Sequence, residues 1–139
     1  MSTNYFLVRT TEHLSEHRNY FLYLALVWTF FMAYLCLTDF NKLPNIKIGG
    51  LDKSVHFVLH CCFTFFWYLY FMKAQKCVKY RLVIVIAASI IYGSLIEIAQ
   101  ALFTTTRKAD ILDIVANSVG TAGGCVAIYV TRHFARKMI

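Results

Sequence analysis

The sequence predicts an all-α integral membrane protein built as an antiparallel four-helix bundle. Three observations predict it. Four apolar runs of about twenty residues follow one another along the chain, and a helix of that length, rising about 1.5 Å per residue, crosses a bilayer core of about 30 Å. The chain is 59% hydrophobic and 17% aromatic, too apolar for an ordinary soluble domain of this size. The runs are joined by short polar or basic segments, and short connections make neighbouring helices antiparallel. At 139 residues the chain is expected to hold a single membrane domain.

Residues 1–19 are mixed in polarity, with Arg9, Glu12, Glu16 and Arg18 among Tyr5, Phe6, Leu7 and Leu14, and read as a cytoplasmic or interfacial segment. The four spans then fill residues 20–131. Tyr20 to Thr38 is uncharged and carries Trp28. Asp39 to Leu51 breaks the helix with Pro44, Gly49 and Gly50. Asp52 to Met72 is the second span, and a basic turn with Lys73, Lys76, Lys79 and Arg81 follows it. Leu82 to Phe103 is the third span and Asp110 to Thr131 the fourth. Residues 132–139, with Arg132, Arg136 and Lys137, form a basic cytoplasmic tail. The first apolar run is long enough to stay as an anchor rather than act as a cleaved signal.

The net charge is +7. The basic residues sit between apolar runs, which fits phospholipid headgroups and not nucleic acid. Four spans place nine Lys and Arg on the side of both termini and five on the side of Lys42, Lys47, Lys53, Arg107 and Lys108. The richer side is expected to be cytoplasmic, giving a multi-pass protein of the cytoplasmic (inner) membrane with both termini inside. Five cysteines show no CxxC spacing, and those within apolar runs read as small hydrophobes.

The chemistry gathers at the outer end. Residues three or four apart share a helix face. Asp52, His56 and His60 therefore line the second helix, Glu97 and Gln100 the third with Gly93 one turn away, and Asp110, Asp113 and Asn117 the fourth. Ionisable groups at such depth are costly and mark functional sites by default. Ala116, Gly120 and Gly124 form a ladder of small residues that lets helices approach closely, and it is expected to draw Asp113 and Asn117 toward the third helix. Bland roles compete: Asp52 and Asp110 suit N-caps, Asp113 suits the third position of a capping box, and His60 suits ordinary packing. Glu97 sits mid-helix, where capping is impossible. It needs a proton, or a partner such as His56, Arg107 or a ligand cation. The whole set could also be one structural ion-pair network.

The pattern Asp52-Lys53-x-x-His56-Phe57, Glu97-x-x-Gln100 and Arg107-x-x-Asp110-x-x-Asp113-x-x-x-Asn117-x-x-Gly120 resembles the VanZ-like membrane protein family over about half the chain. The resemblance implies a small bacterial membrane protein of the cell envelope, whose founding member is associated with resistance to the glycopeptide teicoplanin. Two positions depart from the family: His60 stands where tyrosine is more frequent, and Thr105-Thr106 replaces a small or proline-containing turn. Function classes stay open. One is a binding protein for an amphiphile, such as a lipid-linked cell-wall intermediate or a lipoglycopeptide. Arg107, Lys108 and Lys53 would hold its phosphate or carboxylate groups, and Asp52, His56, Glu97, Gln100, Asp110, Asp113 and Asn117 would read its polar head. The other is an intramembrane enzyme acting on a phosphate or acyl bond, in which His56, Glu97 and Asp113 would serve as acid and base or bind a divalent metal. No nucleophile elbow, HExxH or phosphate-cradling loop is present.

Overall fold

The computed structural model describes residues 3–38, 51–74, 80–104 and 110–137. They form four helices: α1 (Thr3–Leu37), α2 (Leu51–Lys73), α3 (Arg81–Phe103) and α4 (Ile111–Lys137). Each contains a stretch of 20 to 24 residues long and apolar enough to cross a membrane: Arg18–Leu37, Asp52–Lys73, Arg81–Phe103 and Ile111–Phe134. The chain is a four-helix, multi-pass membrane protein. Helix α1 runs unbroken past residue 19 back to Thr3; the sequence splits there because charge appears, but nothing in the backbone forces a stop.

The distribution of side chains is that of a protein in lipid. Phe30, Tyr34, Val83, Ile91, Leu102, Ile111 and Tyr129 all point outward and are 60% or more exposed. Among the described residues the interior holds nine buried polar or charged side chains and nine buried hydrophobic ones. A soluble core of this size would exclude most of the former. Because lipid tails are as apolar as leucine, burial of hydrocarbon gives these helices little reason to associate, and close packing and interhelical hydrogen bonds take over.

Cross-helix contacts set the register. His60 meets Ser89, and His56 meets Glu97, so α2 and α3 are antiparallel. Trp28 donates from Nε1 to the Leu59 carbonyl and Trp67 to Thr29 Oγ1, which ties α1 to α2. Tyr92 donates to the Thr29 carbonyl at 2.7 Å and Gln100 Nε2 to the Cys36 carbonyl at 2.8 Å, so α1 and α3 run parallel. Helices α2 and α4 are parallel as well and pack together most extensively, whereas among the described residues α1 does not contact α4. Helices α2 and α3 therefore lie between α1 and α4 and meet each other.

The small-residue ladder explains the α2–α4 contact and corrects one expectation. A methyl group at Gly120 would collide with the carbonyl of Phe57, and one at Gly124 would lie 2.7 Å from Thr64 Cβ and 2.8 Å from the Cys61 carbonyl oxygen. The ladder therefore closes α4 onto α2, and not onto α3. Small residues at four-residue steps specify that a backbone comes close; they do not say which one. Apolar packing completes the frame on the α1 side, where Met32, Cys36, Leu59, Phe63 and Ile96 cluster with Trp28 and Tyr92 around them.

Candidate functional site

Three polar stripes at four-residue steps meet inside the bundle. Helix α2 carries Asp52, His56, His60 and Thr64; α3 carries Ser89, Gly93 and Glu97; α4 carries Asp113, Asn117 and Thr121. One helical turn advances 5.4 Å, so the stripes run along the axis as a seam. His56, His60, Thr64, Ser89, Glu97, Asn117 and Asp113 in it are each at most 4% exposed.

The lower half of the seam is a chain of hydrogen bonds. His60 Nδ1 lies 2.9 Å from Ser89 Oγ, Ser89 Oγ lies 2.8 Å from Thr121 Oγ1, and Thr121 Oγ1 lies 2.9 Å from the Asn117 carbonyl. In the upper half, His56 Nδ1 is 2.9 Å from Asn117 Oδ1 and 3.6 Å from Glu97 Oε1. An amide oxygen only accepts, so Nδ1 carries the proton in this arrangement and Nε2 keeps its lone pair. At the rim, Lys53 Nζ lies 3.0 Å from Asp110 Oδ2 and 3.5 Å from Asp113 Oδ1.

What the seam lacks is as informative as what it contains. His56 Nε2, His60 Nε2, Thr64 Oγ1, both oxygens of Glu97, Asp113 Oδ1 and Asn117 Nδ2 are buried without a hydrogen-bond partner among the described residues. Buried polar atoms are normally satisfied, and each left unmade costs about 1–3 kcal/mol. Gly93 lets the stripes close on one another at the same depth: a methyl group there would lie 2.8 Å from His60 Cε1, 3.0 Å from His60 Nε2 and 3.1 Å from Asn117 Nδ2. Two of the unpartnered atoms thus face a glycine, where any other residue would intrude.

Asp110 is a helix cap. Its Oδ1 accepts the Leu112 backbone N–H at 2.9 Å, and its carbonyl accepts that of Asp113 at 3.0 Å. The Leu112 N–H and then the Lys53 ammonium hold its carboxyl below the ordinary carboxylate range. Asp52 is not an N-cap, because α2 begins at Leu51 and places Asp52 inside the first turn. It there offers a carboxylate oxygen that lies, with one ligand atom each from His56 and Asp113, in a set whose members are within 4.8 Å of one another.

The expected residues therefore separate into groups. Asp52, Lys53, His56, Glu97, Asp110, Asp113 and Asn117 come together at one end of α2, α3 and α4. Gln100 does not join them, since its amide turns away to α1 and bonds the Cys36 carbonyl. Arg107 and Lys108 lie outside the described residues, as do Pro44, Gly49 and Gly50. Ser89, Thr64 and Thr121 belong to the seam and were not singled out from the sequence. Their signal was the continued four-residue step beyond His60, Gly93 and Asn117. Hydroxyls are easily passed over in apolar helices, where they bond their own backbone.

The sequence model of the family described as VanZ/LLP1 matches residues 3–132. No curated protein matches the chain, and no solved structure does.

Proposed function

The chain belongs to the VanZ/LLP1 family, and from that premise we propose that it binds the polar head of an amphiphile in the seam between α2, α3 and α4. The occupant we infer is a lipid-linked cell-wall intermediate or a lipoglycopeptide of the teicoplanin class, since the family is linked to teicoplanin resistance. The observation that carries this reading is the group of buried, unpartnered donors and acceptors on His56, His60, Glu97, Asp113 and Asn117. A hydroxyl-, amide- and phosphate-rich headgroup offers complements to all of them, and its acyl chains match the apolar outer faces of the helices. Lys53, at the rim, supplies the cation for an anionic group. The uneven distribution of Lys and Arg supports placing the seam at the outer leaflet of the bacterial cytoplasmic membrane. A cysteine replacing Lys137 should then resist an impermeant thiol reagent in whole cells; its labelling would reverse the orientation.

The test is mass spectrometry of lipid carried through purification in mild detergent, together with teicoplanin susceptibility of cells expressing the chain. The wild-type protein should retain a cell-wall lipid or bind the lipoglycopeptide, and His56→Ala should do neither. Equal retention by the variant would refute the assignment to the seam.

A further inference from the structure

We propose that Asp52, His56 and Asp113 form a binding site for one divalent transition-metal ion, of the Zn2+ class, at the mouth of the seam. The inference rests on the seam being a ligand site and names what would grip the ligand there. The three residues each present a ligand atom within 4.8 Å of the others. His56 and Asp113 are 1% and 4% exposed, and His56 Nε2 and Asp113 Oδ1 have no hydrogen-bond partner.

The hydrogen bond on the other side of the ring strengthens the case. A metal-bound imidazole nearly always gives its second N–H to a carbonyl or carboxylate, which fixes the tautomer and turns the lone pair to the ion. His56 makes the corresponding contact through Nδ1, 2.9 Å from Asn117 Oδ1 with Glu97 Oε1 at 3.6 Å beyond it, which leaves Nε2 as the nitrogen for a ligand.

The described carboxylates at this end of the bundle are those of Asp52, Glu97, Asp110 and Asp113, and Lys53 stands between two of them. Lys53 is committed to Asp110 at 3.0 Å and stands 3.5 Å from Asp113. At Asp113 an ion would compete with Lys53 for the longer contact and leave the shorter Lys53–Asp110 contact intact. One imidazole with two carboxylates suits Zn2+ or Mn2+ better than Mg2+ or Ca2+, which prefer all-oxygen sites. Three protein ligands leave a coordination position open. An incoming phosphate or carboxylate oxygen can fill it.

The experiment uses the full chain in detergent, with any affinity tag removed and the protein stripped by chelator. It is titrated with ZnCl2 by calorimetry and then analysed for bound metal by mass spectrometry. One ion per chain is expected. Asp113→Asn and His56→Ala should abolish retention, and Asn117→Ala, one shell out, should weaken it by about 10–100-fold. Asp52→Asn, at the rim, guards against misfolding of the buried variants and should also release the ion. Ser94→Ala, whose hydroxyl bonds only its own helix through the Ile90 carbonyl, should leave binding unchanged. Failure to bind one ion, or binding indifferent to Asp52→Asn and Asp113→Asn, overturns the proposal. Amphiphile binding by the metal-free protein likewise overturns it and leaves the seam reading standing. A retained ion without amphiphile binding upholds the metal site and refutes that reading instead.

Discussion

Glu97→Gln separates a ligand site from a structural lock. Glu97 is 2% exposed, and among the described residues both its oxygens lack a hydrogen-bond partner and the nearest ionisable nitrogen, His56 Nδ1, is 3.6 Å away. If that contact were a stabilising buried ion pair, removing one charge would strand the other and cost about 3–5 kcal/mol. The melting temperature would then fall on the order of 10 °C for a chain of this length. The geometry argues otherwise. His56 already gives its Nδ1 proton to Asn117 at 2.9 Å, so the carboxylate has been desolvated without taking that proton's hydrogen bond. Glutamine has nearly the same volume and no charge, and the variant should melt at or slightly above the wild type while losing the bound amphiphile. Gly120→Leu is the comparison, because it drives a side chain into the Phe57 carbonyl and should cost about 1–3 kcal/mol or more through overpacking. Thermal unfolding in detergent reads both. A Glu97→Gln protein that melts as low as Gly120→Leu would refute the reasoning and make the seam a structural network.

Gly93→Ala should push its methyl against His60 and Asn117, at 2.8 Å and 3.1 Å, and so displace the side chains that carry the unpartnered atoms. Loss of amphiphile binding with destabilisation of about 1–3 kcal/mol is expected, and undiminished binding would show that the occupant lies elsewhere. Asp110 carries a pH signature. Its carboxyl is held below the ordinary range by the Leu112 N–H and Lys53. Its contribution is therefore present above the unfolded-state value of about 3.9 and lost as pH falls through the lower folded-state value. The melting-temperature gap between wild type and Asp110→Asn should be constant near neutrality and shrink below about pH 4; a gap undiminished at about pH 2 would count against the pairing.

Much of the fold was legible because the bilayer imposes it. Runs of about twenty apolar residues had one reading, and the four-residue step from Asp52 through His56 to His60 put those side chains on one face before any packing was known. The rotation of one helix against another was not legible. Glu97 and Gln100 share a face by spacing, yet α3 is turned so that Glu97 enters the seam and Gln100 reaches the end of α1. A three-residue step spans about 300° of rotation, and the resulting offset is enough to send neighbours to different helices. The Gly120–Gly124 ladder failed in the same way: it announced a close approach, but only the packing of Phe57 and Cys61 shows that α2 makes it. The capping role that competed for Asp52 falls away because a boundary one residue earlier moves its side chain from the end of the helix into the first turn.

Helices α2 and α4 begin at the same end of the bundle and touch backbone to backbone at Gly120 and Gly124. Most recognition sites have walls made of side chains, which widen or narrow as rotamers change. Here the separation of two walls is set by peptide planes, and no rotamer change can alter it. Helix α3 closes the third side through the groups that rotate, Ser89 and Glu97. The seam is consequently a vice with one fixed jaw. Its gauge is written in two glycines of α4, and whatever adjustment it makes to the size of an occupant falls to α3.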